Sequence, residues 1–202
     1  PRGVFASENA DINGGQTQVA NEEQTDEKVS REYEIKEEET WDISENGDGS
    51  VIAKWTLSDK TLRISGNGKM RNWEYYNDRE DWHNSQYTNI IEKLVIEDGV
   101  TNIGDHAFEG CSSLIDIEIP EGVTEIGWYA FEECSSLVSI EIPEGVTEIE
   151  NYAFEGCNSL KSINVDANNK NYMSENGILF NRNKTKLIQF PAGKNDIKKY
   201  QI

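Results

Sequence analysis

Residue types that carry chemistry recur in this sequence at one interval. Cys111, Cys134 and Cys157 stand 23 residues apart and are its only cysteines. A zinc site needs cysteine and histidine clustered at short spacing, and a full disulfide framework needs an even count. Neither pattern is present. Carboxylates recur at the same interval in the columns Glu109, Glu132, Glu155 and Asp98, Glu121, Glu144, beside Asn102, Glu125, Glu148. A catalytic acid–base pair is singular and set apart by its surroundings. A column of acids reads instead as solvated surface, with a cation-bridged ladder as the sharper alternative. Only two histidines occur, His83 and His106. There is no Gly-x-Ser-x-Gly elbow, His-Glu-x-x-His helix or phosphate-binding glycine loop. Asn46-Gly47-Asp48-Gly49 lacks the spaced oxygen ligands and closing acid of a calcium loop and reads as a tight turn. The expectation is a protein that is not an enzyme, with no catalytic residue, no cofactor and no metal.

The elements that carry these residues repeat with them. Leu114, Leu137 and Leu160 each follow a cysteine by three positions. Ile117, Ile140, Ile163 and then Ile119, Ile142, Val165 form the next columns. Ala107-Phe108, Ala130-Phe131 and Ala153-Phe154 precede the cysteines. Val100, Val123, Val146 and Ile103, Ile126, Ile149 complete the set. A period of roughly 20 to 29 residues marks a solenoid, in which no coil buries its own apolar face and stacking makes one core. Ile117 and Ile119 alternate with Glu118 as in a strand, so successive coils should align into a parallel sheet. The expected repeat core is Cys111, Leu114, Ile117, Ile119, Phe131, Cys134, Leu137, Ile140, Ile142, Phe154 and Cys157. The cysteines in it are small buried hydrophobes.

The unit running from Cys111 through Leu114, Ile117, Ile119, Pro120, Val123, Ile126, Gly127, Ala130 and Phe131 resembles the BspA-like, Treponema-type leucine-rich repeats of bacterial surface proteins. Gly122 stands where an ordinary leucine-rich repeat has Asn or Cys, and that departure marks the subfamily. The resemblance implies a leucine-rich-repeat solenoid, a parallel β-sheet with an irregular or short helical convex side. It also implies a secreted or bacterial cell-surface location and adhesion to host proteins or other bacteria. The expected partner is a protein, of the host matrix or another bacterial surface, or a glycan. The alternative is a targeting or spacer region of a larger wall-associated enzyme, with its catalytic domain beyond residue 202.

The flanks differ from the repeats. Residues 1–40 are polar with isolated apolar side chains, too few to offset ordering entropy, and read as a disordered acidic tail or linker. Within it, Val4-Phe5-Ala6-Ser7 is equally readable as the end of a signal peptide or a tag remnant. Residues 41–89 read as a β-rich N-terminal cap, residues 90–165 as the repeats, and residues 166–202 as a hairpin insertion and the start of a further repeat. Tyr200-Gln201-Ile202 aligns with Ile140-Glu141-Ile142, so the chain is expected to be part of a longer array. The net charge is −19, and residues 90–165 hold sixteen acids against two bases. Such a surface repels phosphate backbones and argues against nucleic acid as a partner. No apolar run approaches the length that spans a bilayer.

Residues freed from core duty are the candidates for binding. The outward strand positions Val95, Glu118, Glu141 and Asn164, with Asp116 and Ser139 on the adjacent column, should form the ligand face. The alternative is the aromatic group Trp73, Tyr75, Tyr76 and Trp82, which is otherwise expected to cover the open end of the first coil.

Overall fold

The computed structural model describes residues 35–74, 81–83 and 85–195. Thirteen strands and one helical turn are present among them. The cap holds β1 (Glu38–Asp42), β2 (Val51–Thr56) and β3 (Thr61–Gly66), followed by α1 (Ser85–Thr88). The coils then hold β4 (Lys93–Ile96), β5 (Asn102–Ile103), β6 (Asp116–Glu118), β7 (Glu125–Ile126), β8 (Ser139–Ile142), β9 (Glu148–Ile149) and β10 (Ser162–Val165). The last elements are β11 (Tyr172–Glu175), β12 (Ile178–Asn181) and β13 (Leu187–Gln189).

β1, β2 and β3 pair as an antiparallel meander, the first turn carrying Gly47 and Gly49 with φ of 65° and 74° and the second Lys60 with φ of 51°. β1 begins at Glu38, inside the segment read as tail, and Ile35 already packs on the core. The boundary at residue 40 is therefore too late, because Glu38 and Glu39 pair with Thr56 and Trp55. The polar composition of these positions concealed a strand with one face on the core (Trp41) and one in water.

β3 then runs parallel to β4, with Leu62 beside Leu94 and Ile64 beside Ile96. The cap's third strand is thus the first rung of the solenoid, which it continues without a break. Parallel pairing extends from β4 to β6 and, further on, from β8 to β10. A second, narrower ladder joins β5, β7 and β9. The rest of each coil is turns, with no helix of its own.

The core is the set of columns expected. Cys111, Leu114, Phe131, Cys134, Leu137, Ile140, Ile142, Phe154 and Cys157 are all buried. Phe108, Phe131 and Phe154 stack at 5.6 and 5.8 Å between ring centres. Two departures concern β6. Ile117 and Ile119 are only partly buried, and β6 lies alongside β8 without ladder pairing, so the expected continuous sheet is two sheets. At this seam the outward neighbours are Glu118 and Glu141. Ile117 and Ile119 border that opening.

After β10 the rhythm changes. β12 and β13 form the hairpin expected around Asn181–Lys186, and β11 adds a third antiparallel strand through the tight turn at Asn176-Gly177. Asn169, fully buried, donates to the Pro143 and Val146 carbonyls at 2.9 Å each. Tyr172 Oη accepts from the Ile149 amide at 2.9 Å. Side chains here satisfy backbone groups that a further regular coil would otherwise pair. The segment read as a new repeat, Tyr200 to Ile202, lies outside the described residues.

Candidate binding face

Parallel register sets the outward side chains in two rows. One row runs Arg63, Val95, Glu118 across β3, β4 and β6, and the other runs Thr61, Lys93, Asp116. On β8 and β10 the rows continue as Glu141, Asn164 and Ser139, Ser162. Asp116, Glu118, Ser139, Glu141 and Asn164 are exposed. Val95 is not: it is 7% exposed and does not belong to a contact surface. It sits in the outward row, but long side chains flank it. Arg63 pairs with Glu97 at 3.2 Å on one side, and Lys93 pairs with Glu118 at 2.5 Å on the other. Aliphatic stems of such residues lie over an apolar neighbour while their charged ends stay in water.

The face is therefore not uniformly negative. Lys93 reaches both Glu118 and Asp116, the latter at 3.4 Å, and its hydrogen bond to Glu118 raises its pKa. Lys60 pairs with Glu92. Exposed pairs of this kind add little stability, but they neutralise the cap-side half of the face. Glu141 joins no ion pair among the described residues, so the negative potential concentrates on β8. Beside it lie two apolar side chains that the sequence reading passed over, Ile115 and Val138, 54% and 45% exposed. They occupy one repeat column, whose other members are Glu92 and Lys161. Arg63 was also missed. The signal for it was the match of Thr61-Leu62-Arg63-Ile64 to Lys93-Leu94-Val95-Ile96.

The aromatic alternative dissolves into structure where it is described. Trp82 is fully buried, stacks on Phe108 at 5.9 Å and donates its indole N–H to the Ala107 carbonyl at 2.9 Å. Trp73 is 6% exposed and donates to Asp81 Oδ2 at 2.7 Å. These rings, with Trp41 and Tyr87, continue the phenylalanine column into the cap. Tyr75 and Tyr76 lie outside the described residues. Beneath the indoles, Asp81 also accepts from Arg71 at 3.0 Å and faces His83 Nδ1 at 2.6 Å, while His83 Nε2 faces the His106 carbonyl at 2.9 Å. Burial acts to raise the Asp81 carboxyl, but His83 and the Trp73 indole outweigh it and hold the group well below the usual carboxylate range.

A second column lies on the turn side. His106, Tyr129 and Tyr152 share a left-handed backbone, φ 56°, 56° and 63°, and stack at 4.9 and 5.1 Å. Glu109, Glu132 and Glu155 run beside them. Burial raises the Glu132 carboxyl, and the charges of Glu109, Glu133 and Glu155 push it further. A cleft of about 100 Å³ between the last coil and the hairpin, lined by Tyr152, Phe154, Lys186 and Ile188, is far below the roughly 300 to 1,000 Å³ of small-molecule sites.

Coils of this length, stacked through a phenylalanine column and read from an outward strand face, define a leucine-rich-repeat β-solenoid. Residues 84–201 match the BspA type leucine rich repeat region in six copies. That is more than half of the chain, and the chain belongs to this family. Solved structures of bacterial leucine-rich repeat proteins are similar to it. One from Eubacterium ventriosum is 24% identical, with a TM-score of 0.45, covering 78% of this chain and 52% of its own. The pneumococcal vaccine antigen PcpA is 18% identical, with a TM-score of 0.42, covering 73% and 56%. The Treponema pallidum leucine rich repeat protein is 22% identical, with a TM-score of 0.33, covering 57% and 69%. The chain thus spans about half the length of the first two. The chain matches none of the curated proteins compared with it. Among the described residues no helix is long and apolar enough to cross a membrane.

Proposed function

We propose that this chain is a protein-binding module of a secreted or cell-surface bacterial protein, and that its partner lies across the outward strand rows. The observation that carries the reading is the exposed set Asp116, Glu118, Ser139, Glu141 and Asn164, aligned on adjacent coils beside exposed Ile115 and Val138. An apolar pair bordered by charge supplies both a contact that excludes water and a rim that orients the partner. A basic patch on a host matrix protein or another bacterial surface protein fits the acidic half of the face, and adhesion is the use we assign to it. Catalysis is not part of the reading, and a glycan is the less favoured ligand because the indoles of Trp73 and Trp82 are buried.

The test is a panel of immobilised matrix proteins and bacterial glycans probed with the wild-type chain and with Glu118→Ala/Glu141→Ala. Exposed substitutions of this kind cost under about 0.5 kcal/mol, so both proteins should melt alike. Binding by the wild type should weaken with salt and weaken further in the double variant. Equal binding by both proteins, at equal salt dependence, removes the strand face from the interaction.

A further inference from the structure

The turn-side column contains one position where the repeat is broken chemically. Tyr129 and Tyr152 occupy two coils, and His106 occupies the equivalent place in the first. The acids do not change: Glu109, Glu132 and Glu155 recur in all three. Only the first coil therefore presents an aromatic nitrogen to the carboxylate column. His106 Nδ1 lies 2.9 Å from Glu109 Oε2, and ligand atoms of His106, Glu109 and Glu132 all fall within 4.8 Å of one another. Glu132 comes from the next coil. One of its oxygens, Oε2, is shut off from solvent and has no hydrogen-bond partner, which is a costly state for a carboxylate.

We propose that His106, Glu109 and Glu132 bind a first-row divalent transition-metal ion that staples the first coil to the second. Metal bonds to imidazole nitrogen and carboxylate oxygen are about 2.0 to 2.2 Å. Two such ligands at a right angle are roughly 3 Å apart, by the same bond lengths. The His106–Glu109 separation already meets that bite, and only the Glu132 carboxylate has to close on it. His106 and Glu109 have little freedom to leave, their side chains being 13% and 20% exposed. A nitrogen donor with two carboxylates suits ions of the zinc and manganese type better than calcium, which takes oxygen ligands in larger number. The staple would act where the two coils are already joined by the His106 amide donating to the Trp128 carbonyl and the Phe108 amide to that of Ala130, at 2.8 Å each. It would also fix the residue whose carbonyl receives His83 from the cap.

The experiment uses the whole chain, stripped with chelator, titrated with zinc, manganese or calcium chloride and followed by calorimetry and thermal melting. Zinc should bind at one ion per chain, and saturation at about a hundred times Kd should raise Tm by roughly 5 °C. His106→Tyr installs the residue that the next two coils carry, so it should fold, and it should abolish the zinc shift. Glu132→Gln should abolish it independently, and metal-free melts of both variants verify that each is folded. Absence of zinc binding by the wild type overturns the proposal. So does a shift that survives His106→Tyr, or one that calcium reproduces in that variant, since either would mean that the acids bind cations without the imidazole.

Discussion

At the scale of single residues, burial decides how the titratable groups behave. Burial pushes the Cys111 and Cys157 thiols up to about 12 and the Cys134 thiol well above its ordinary value. Cys134 and Cys157 donate to the Phe108 and Phe131 carbonyls at 3.3 and 3.1 Å. A thiol of this kind is not a nucleophile at neutral pH. A soluble thiol reagent at pH 8 should leave all three cysteines unlabelled over minutes in the native protein and label all three in denaturant. Prompt labelling of the native chain would contradict their place in the core. Asp81 makes the opposite case. Its carboxyl is held below the ordinary value, so its contribution to stability is complete above about pH 4 and is lost as the pH falls towards its folded pKa. Asp81→Asn should cost on the order of 3 kcal/mol at pH 7, because it leaves His83 and Arg71 without their carboxylate. Acid unfolding of the variant should show a shallower slope below about pH 4 than the wild type.

At the scale of elements, the columns were legible because stacking forces equivalent residues into identical environments. The 23-residue interval alone placed Leu114, Leu137, Phe131, Phe154 and the cysteines inside. What the interval left hidden depends on neighbours that periodicity does not see. Val95 has the alternation of an outward residue, yet Arg63 stands on one side of it and Glu118, paired with Lys93, on the other. Ile35 and Glu38–Thr40 read as polar tail because a strand with one buried face and few β-formers carries little signal. The break between β6 and β8 falls inside an unbroken sequence repeat, which carries no sign of it. Backbone approach gives a sharper test of the same point. Gly122 and Gly145 are repeat equivalents, but a Cβ on Gly145 would lie 1.9 Å from the Glu121 carbonyl oxygen, whereas one on Gly122 would sit 3.6 Å from that of Val100. Gly145→Ala should therefore destabilise by about 1 to 3 kcal/mol, and Gly122→Ala should be close to neutral. Chemical denaturation of the two variants side by side measures the difference.

At the scale of the molecule, the cap is continuous with the array. Trp41, Trp82 and Tyr87 cover the end of the phenylalanine column, and the Trp55 indole donates to the Lys36 carbonyl at 3.1 Å. Removal of residues 1–34 should leave Tm unchanged, since the polar composition of that stretch offers no buried set. Extending the deletion through Asp42 removes β1 and Trp41 and should lower Tm by several degrees. Differential scanning calorimetry of the two truncations separates tail from cap. The candidate site was only partly legible for a related reason. Glu118 and Glu141 follow from alternation, but the exposed Ile115 and Val138 occupy a column filled elsewhere by Glu92 and Lys161, and nothing in their type predicts exposure.

The missing rungs between β6 and β8 have a mechanical consequence. On the opposite side the same two coils remain joined, through β7 and β9 and through the Phe131 and Glu133 amides, which donate to the Ala153 and Glu155 carbonyls at 2.8 Å each. At the two ends of the seam the coils are tied by Ser135 Oγ donating to the Ser112 carbonyl at 3.4 Å and by the Glu144 amide donating to Glu121 Oε2 at 2.9 Å. Bending the stack there breaks no strand rung, so the strand face should open or tighten its radius between Glu118 and Glu141 at little cost.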